Sequence, residues 1–227
     1  MNELLKARII AACEESLEAA GLRVEMVTDF SEVEDLANLA NKPYLTPITS
    51  PAHNDLHERN AIWLVARSEG RPAIMGAARY DDLGQLSLGA FWSASLSRVY
   101  GKNGGPVIEN IDDVFLSRMR GKVVYFGDLF VASGVRGSRK TLRCFTALGH
   151  MLVSIKWDPD WTYAFIREED ILRGAAANYG FPNVYPNPFT WIDPPAPRSN
   201  REWCAVLPKG GLESVGHAVL DSILGDD

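Results

Sequence analysis

The chain has 227 residues, of which 46% are hydrophobic and 23% charged, and its formal net charge is −6. This composition is typical of a soluble globular protein. The acidic balance argues against general binding to nucleic acid or to an anionic membrane, because both need a basic face. The length suits one large domain, so we expect a single domain over residues 1–227.

Cysteine usage and the start of the chain bear on location. The three cysteines are widely spaced and form no C-x-x-C pair, which favours a reduced intracellular setting. Residues 1–21 are charged throughout and lack the apolar core of a signal peptide. The sequence contains no apolar run of the roughly 20 residues that a membrane helix needs. We therefore expect a cytoplasmic protein without a membrane segment.

Hydrophobic spacing in the first third of the chain predicts helices and a hairpin. Apolar residues recur at helical spacing over residues 1–21, which end in a glycine that stops a helix. Residues 22–29 alternate between apolar and polar, as a strand does. Ser31 and Glu34 have the spacing of a capping box, which predicts a second helix. Residues 61–84 predict two strands joined by a tight Glu-Gly turn.

The segment at 85–121 has no clear period and is predicted to be an insertion. It contains candidate helices near Phe91–Tyr100 and Ile111–Arg120, separated by a glycine-rich turn at 101–105. Its position between two predicted strands makes it an addition to the core of the fold.

The rest of the chain completes an α+β (mixed α/β) pattern in which helices interrupt a mixed sheet. Residues 122–131 are apolar enough for a central strand buried on both faces. A loop and a helix from about Thr141 to Trp157 follow. The remaining predicted elements are a strand at 161–168, a short helix at 169–180, strands at 189–192 and 202–207, and a C-terminal tail at 208–227.

The loop "VASGVRGSRKT" at 131–141 is the most informative motif of the chain. Gly134, Lys140 and Thr141 match the P-loop pattern, but Arg139 replaces its second glycine and would obstruct the wrapping of backbone around a phosphate. Only one clear β-α unit follows the loop, whereas a P-loop serves a sheet with several. The P-loop interpretation is therefore disfavoured.

The same loop has the physical features of an anion site. A strand that feeds a loop and then a helix directs free amide N–H groups and the positive end of the helix dipole at one point. Arg136, Arg139, Lys140 and Arg143 add four positive charges within eight residues, which suits a pyrophosphate or a ribose phosphate. The alternative is a strand-to-helix connection with a solvated basic edge.

This order of elements resembles the GNAT superfamily of acetyl-CoA-dependent N-acyltransferases over residues 22–207, with 85–121 set aside. The stretch "YFGDLFVASGVRGSRKTLRCFTALGHML" resembles the fourth strand, pyrophosphate loop and third helix of that family, and "AAANYGF" at 175–181 resembles the end of its fourth helix. The resemblance implies a mostly antiparallel twisted sheet flanked by helices. An extra N-terminal helix and an insertion between the third and fourth strands would distinguish this chain.

The resemblance also implies a co-substrate and a site. Acetyl-CoA or another acyl-CoA would lie with its pantetheine arm along the backbone of Leu129, Phe130 and Val131. Two departures from the family pattern stand out: the later small positions of the loop hold Arg139 and Thr141, and the expected tyrosine is replaced by Ala176. The loop residues implied in phosphate binding are Arg136, Gly137, Ser138, Arg139, Lys140 and Thr141.

Three residues are candidates for catalysis. Asp128 on the central strand would have a raised pKa in an apolar setting, which suits a base; the alternative is that it faces out or pairs with a nearby arginine. Glu168 could bind or deprotonate the amine, or be a helix N-terminal acid favoured by the dipole. Tyr179 could protonate a leaving thiolate. His53 and His57 have the spacing of a helical metal pair, but no third ligand is evident, and we expect no metal.

The sequence thus predicts an acyl-CoA-dependent N-acyltransferase with a small-molecule or peptide amine as acceptor. The alternatives are an enzyme that resembles acyl-homoserine-lactone synthases, and a non-catalytic acyl-CoA-binding or interaction module of the same fold. No nucleic-acid or membrane partner is expected, and the N-terminal helix is a candidate surface for a homodimer.

Overall fold

A computed structural model describes residues 1–101 and 105–225. The described strands are β1 Arg23–Met26, β2 Ala61–Ser68, β3 Arg71–Asp82, β4 Ile108–Glu109, β5 Lys122–Val131, β6 Trp161–Arg167, β7 Asn183–Pro186, β8 Thr190–Trp191 and β9 Glu202–Pro208. The described α-helices are α1 Glu3–Ala19, α2 Val33–Leu39, α3 Leu88–Tyr100, α4 Asp113–Leu116, α5 Arg139–Trp157, α6 Glu168–Leu172, α7 Ala175–Asn178 and α8 Leu212–Leu224.

Seven strands form one mixed sheet in the order β1-β2-β3-β5-β6-β9-β7. Every neighbouring pair is antiparallel except β5 and β6, which run parallel. The crossover between these two strands is α5, as parallel strands require a long connection. A separate two-stranded ladder joins β4 to β8. The predicted α+β class with a mostly antiparallel sheet is confirmed.

The first face of the sheet is covered by α1, α5 and α8. Ile9, Cys13 and Leu17 of α1 are fully buried in the same cluster as Ala164 and Ile166 of β6. Because side chains alternate along a strand, the even-numbered residues of β6 lie on this face and its odd-numbered residues lie on the other. The predicted N-terminal helix therefore forms part of the core.

The second face is covered by α2 near β2 and β3, and by the insertion near β6 and β9. Trp92 of α3 and Leu116 of α4 pack with Tyr163 of β6 and with Val206 of β9. The insertion lies between β3 and β5, as predicted, and it supplies the second aromatic core of the molecule. The turn predicted at 101–105 lies largely outside the described residues.

The predicted hairpin and central strand are present. Glu69 and Gly70 connect β2 to β3 with φ angles of 49° and 78°, the left-handed pair of a type I′ turn. Strand β5 has the predicted bounds, and its residues 123–126 are buried.

Several predicted boundaries and caps are wrong. The side chain of Asp29, not of Ser31, accepts a backbone hydrogen bond, and α2 begins without the capping box. Helix α5 begins at Arg139 because Ser138 caps it. The single helix predicted at 169–180 is two helices, α6 and α7, separated by Gly174, whose φ of 85° breaks the helix.

The C-terminal part contains elements that the pattern did not predict. Strand β7 pairs with β9 and forms one edge of the sheet. Residues 208–227, predicted to be a C-terminal tail, contain helix α8, which packs on α1 and α5. Among the described residues we find no helix with the length and apolar character needed to cross a bilayer.

Candidate functional site

The parallel strands β5 and β6 separate partway along their length. Their pairing covers only Val123–Tyr125 and Trp161–Tyr163, whereas β5 remains paired with β3 as far as Val131. The gap opens into a cleft of about 430 Å³ that passes between the two faces of the sheet. Its walls include residues 125–131 of β5 and 164–167 of β6.

A β-bulge lies in the wall of this cleft. Asp128 and Leu129 on β5 stand opposite the single residue Gly76 on β3, and Asp128 has a left-handed φ of 55°. A bulge leaves the extra residue out of the ladder and bends the strand. The backbone of β5 beyond Tyr125 therefore has one edge on β3 and the other edge on the cleft.

The Asp128 carboxylate is buried and fully engaged. Its Oδ1 lies 3.0 Å from Nζ of Lys42, and both side chains are at most 4% exposed. The backbone N–H of Thr46 donates to Oδ1 at 3.1 Å, and the hydroxyls of Thr46 and Thr49 donate to Oδ2. Asp128 thus pairs with a lysine, Lys42, and neither faces out nor pairs with an arginine as the alternative had it. This carboxylate fastens the segment after α2 to the bulge.

On the first face, the cleft reaches the loop that precedes α5. The Ser138 hydroxyl accepts a hydrogen bond from the Thr141 N–H at 3.2 Å and caps the helix. Arg136 lines the cleft, and its Nε donates to the Val131 carbonyl at 2.9 Å. This bond holds the arginine beside the end of β5, close to the positive end of the helix dipole.

The other basic residues of the loop point in several directions. Arg139 is exposed. Nζ of Lys140 donates to the Ile223 carbonyl of α8 at 3.5 Å, and Nε of Arg143 donates to Oδ1 of Asn178 in α7 at 3.2 Å. Gly137 has a φ of 103°, a conformation that favours glycine. Arg136 is thus the predicted phosphate-binding residue whose side chain lines the cleft.

Tyr179 also lines the cleft from the first face. Burial raises the pKa of its phenol, with a further contribution from the charge of Asp170. Its backbone carbonyl accepts a hydrogen bond from Nε2 of His150 at 2.8 Å. Burial lowers the pKa of His150 to about 4, so the imidazole is neutral near pH 7. Its hydrogen bond to the Tyr179 carbonyl connects α5 to the end of α7.

The structure thus brings together Asp128, Tyr179, Arg136 and the backbone at 129–131, but not Glu168. Oε2 of Glu168 accepts a hydrogen bond from Nη2 of Arg201 at 2.6 Å, and the Glu168 N–H donates to the Arg201 carbonyl at 2.8 Å. Neither residue is among those that line the cleft.

A buried arginine and a glutamate in the cleft were missed by sequence reasoning. Nη1 of Arg198 lies 3.1 Å from Oε1 of Glu202, and these side chains are 4% and 10% exposed. Arg198 also donates to the hydroxyls of Tyr100 and Tyr125 at 2.9 and 3.4 Å. Arg198 follows a proline-rich loop whereas Glu202 begins β9, so their spacing carries no signal that sequence periodicity could detect.

The histidines considered as a helical metal pair do not lie on a helix. His53 lies in a turn and His57 in an irregular segment, where Nδ1 of His57 accepts a hydrogen bond from the Arg59 N–H at 3.2 Å. Across residues 1–101 and 105–225 we find no group of three or more His, Cys, Asp or Glu side chains placed to hold a metal ion.

Comparison with solved structures identifies the architecture. The chain is similar to an N-acyl amino acid synthase from uncultured soil microbes, with a TM-score of 0.51 and 8% identity over 85% of this chain and 94% of that one. It also matches a mutant agmatine N-acetyltransferase in its apo form, with a TM-score of 0.44, 15% identity, and coverage of 82% and 99%. A CoA-dependent acyl-homoserine lactone synthase matches with a TM-score of 0.43, 13% identity, and coverage of 88% and 90%.

No family model and no curated protein matches the sequence. The topology around the separated parallel strands agrees with the resemblance carried by the motif at 125–152. The chain therefore has a GNAT-like fold, which it shares with the N-acyl amino acid synthase at 8% sequence identity.

Proposed function

We propose that the protein transfers an acyl group from acetyl-CoA or another acyl-CoA to a primary amine. The observation that carries this proposal is the cleft where β5 leaves β6, with the bulge at Asp128 in its wall and the N-terminus of α5 at its end. Its volume of about 430 Å³ lies within the range of small-molecule sites.

The cleft offers different chemistry at its two ends. Along β5, backbone amide and carbonyl groups that face away from β3 can bind an amide-containing arm by strand-like hydrogen bonds. At the loop, Arg136 and the dipole of the 19-residue helix α5 favour a phosphate. This combination of an extended polar arm and an anionic end matches the pantetheine and pyrophosphate of CoA.

Acyl transfer needs positioning and a route for two protons. The amine nitrogen attacks the thioester carbonyl carbon, the C–N bond forms, and the C–S bond breaks. The Tyr179 phenol, whose pKa burial raises further above neutrality, is protonated at neutral pH and can supply its proton to the departing thiolate. This role is supported by the position of Tyr179, which lines the same cleft as the β5 backbone.

One observation favours the second candidate, an acyl-CoA-binding module without catalysis. Both oxygens of Asp128 are engaged by Lys42, Thr46 and Thr49, so Asp128 has less freedom to act as a base than the sequence suggests. Release of free thiol from acetyl-CoA in the presence of primary amines distinguishes the enzyme from the module.

Calorimetric titration with CoA tests the proposal for both candidates. We expect CoA to bind the wild-type protein, and Arg136→Ala to weaken binding by about 1–3 kcal/mol, the scale of hydrogen bonds to a charged group. Arg8→Ala is the matched control, since Arg8 is an exposed arginine on α1. Absence of heat with CoA and acetyl-CoA, or equal affinity in Arg136→Ala, would contradict the assigned site.

A further inference from the structure

The buried pair formed by Arg198 and Glu202 lies in the second-face wall of the cleft. Glu202, Cys204 and Val206 are alternate residues of β9, so their side chains point to the same face of the sheet. Cys204 and Val206 pack with the insertion on the second face. Arg198 and Glu202 both line the cleft. The loop and helix that suit CoA lie on the first face, so the second face is the side from which an acceptor would approach.

Glu202 has an unused hydrogen-bond acceptor. Its Oε1 is bound by Arg198, but its Oε2 is buried and has no hydrogen-bond donor among the described residues. A buried polar atom without a partner costs free energy that is recovered when a ligand supplies the partner. Asp128 differs from Glu202 in this respect, because donors reach both of its oxygens.

Arg198 supplies a counter-charge to the buried Glu202 side chain. The guanidinium offsets the buried negative charge, and Tyr100 and Tyr125 take two of its remaining N–H groups. A buried carboxylate held by an arginine on one oxygen can bind a cationic or neutral amine on the other.

We propose that Glu202 binds the amino group of the acceptor through Oε2 and that the acceptor is a primary amine with an apolar body. This inference rests on the proposed function and names the acceptor class of that site. The apolar body is inferred from the aromatic residues around the pair, since Tyr125 and Phe165 line the same wall and the Arg198 guanidinium lies 5.3 Å from the Phe165 ring centroid.

Glu202 also provides a destination for the proton of the amine. When the amine nitrogen attacks the thioester carbonyl carbon, the new C–N bond forms and the nitrogen loses a proton to Oε2 of Glu202. The C–S bond electrons leave with the sulfur of CoA, which takes a proton from Tyr179 or from solvent. The products are the amide and free CoA; Glu202 then releases its proton to solvent, and Tyr179 regains one from solvent where it was the donor.

Binding of two matched probes to the CoA-loaded protein tests the inference without turnover. Phenylethylamine presents an amine on an aromatic body, and phenylpropionate presents a carboxylate on a similar body. We expect phenylethylamine to bind the wild type and phenylpropionate not to bind. In Glu202→Gln, loss of a charge-assisted hydrogen bond of about 1.5–3 kcal/mol should weaken phenylethylamine binding about 10- to 150-fold, with CoA affinity unchanged.

Two controls keep the outcome interpretable. Glu25→Gln changes another strand carboxylate that is paired with an arginine, Arg67, far along the sheet from the cleft, and it should bind both CoA and phenylethylamine as the wild type does. If Glu202→Gln folds poorly because Arg198 is left unpaired, the double variant Arg198→Met with Glu202→Gln removes both buried charges. It should bind CoA and not phenylethylamine.

Retained phenylethylamine affinity in a folded variant without the Glu202 carboxylate would overturn the inference. So would equal binding of phenylpropionate, or no binding of phenylethylamine to a wild-type protein that binds CoA. A protein that does not bind CoA would instead refute the proposed function, so the two failures are distinguishable.

Discussion

At the scale of single residues, Asp128 shows how burial and partners decide what a carboxylate does. The sequence suggests a base on an apolar strand, whereas the structure surrounds the carboxylate with an ammonium group, a backbone amide and two hydroxyls. Its backbone φ of 55° is tolerated by aspartate better than by most residues. These contacts give Asp128 a positioning role in the bulge.

Replacing Asp128 tests that role. Asp128→Asn leaves Lys42 buried without a counter-charge, and we expect a loss of about 3–5 kcal/mol in the free energy of unfolding, measured by denaturant titration. The double variant with Lys42→Met should lose less than the sum of the two single variants, because the unpaired charge is absent. If stability is unchanged while thiol release falls and CoA still binds, Asp128 is instead the base that the sequence suggests.

His150 predicts a specific dependence of stability on pH. Burial lowers its pKa from 6.5 to about 4, so below 6.5 the unfolded state binds the proton and the folded state does not. The stabilisation is present above about pH 6.5 and is lost as pH falls towards 4. From about pH 7 to about pH 5 this one group should account for a loss of about 2 kcal/mol.

The variant His150→Gln keeps a side-chain donor for the Tyr179 carbonyl and removes the titration. Denaturant unfolding at the two pH values should show a drop smaller by about 2 kcal/mol in the variant than in the wild type. The same drop in both proteins would assign the acid sensitivity to other groups.

At the scale of elements, the cleft depends on how closely α5 lies against β5. A Cβ added at Gly149 of α5 would stand 2.7 Å from Cζ of Phe126. Phe126 is the first residue of β5 beyond its pairing with β6. The close approach of helix and strand therefore occurs at the point where the two parallel strands separate.

Gly149→Ala should destabilise the fold by about 1–3 kcal/mol through overpacking, even though alanine is favoured over glycine in a helix by about 1 kcal/mol. Thermal and denaturant unfolding measure this change. Gly210→Ala is the control, because an added Cβ there meets no atom within 4 Å; equal stability of the two variants would show that Phe126 moves aside without cost.

At the scale of the whole molecule, the additions to the common fold are structural. Helix α1 buries Ile9, Cys13 and Leu17 completely, and it packs on both α5 and α8. The insertion forms the aromatic core of the second face. Helices α1 and α8 on the first face and the insertion on the second face thus pack against the sheet that contains the cleft.

A pair of leucines on α1 tests this contribution. Leu17→Ala removes a fully buried side chain and should cost about 2–5 kcal/mol of unfolding free energy. Leu4→Ala changes a side chain that is 80% exposed and should stay within about 0.5 kcal/mol of the wild type. Similar small effects in both variants would mean that α1 is dispensable for stability.

The elements that were predictable are those with strong local signals. The hairpin follows from β-rich runs around Glu69 and Gly70, and β5 follows from its apolar run. Helix α5 follows from its period, although its start depended on the Ser138 cap. The capping box at Ser31 failed because Asp29 competes for the same backbone group.

The sequence by itself determined the class of fold, the order of the sheet's principal elements and the basic loop before α5, because these depend on periodicity and on residues adjacent in the chain. Only the tertiary structure decided that Lys42 meets Asp128 and that Arg198 and Glu202 enter the cleft between β5 and β6. Those contacts join segments distant in sequence or lie in irregular loops. These contacts depend on how the strands pair, and the spacing of residues along the chain does not predict that pairing.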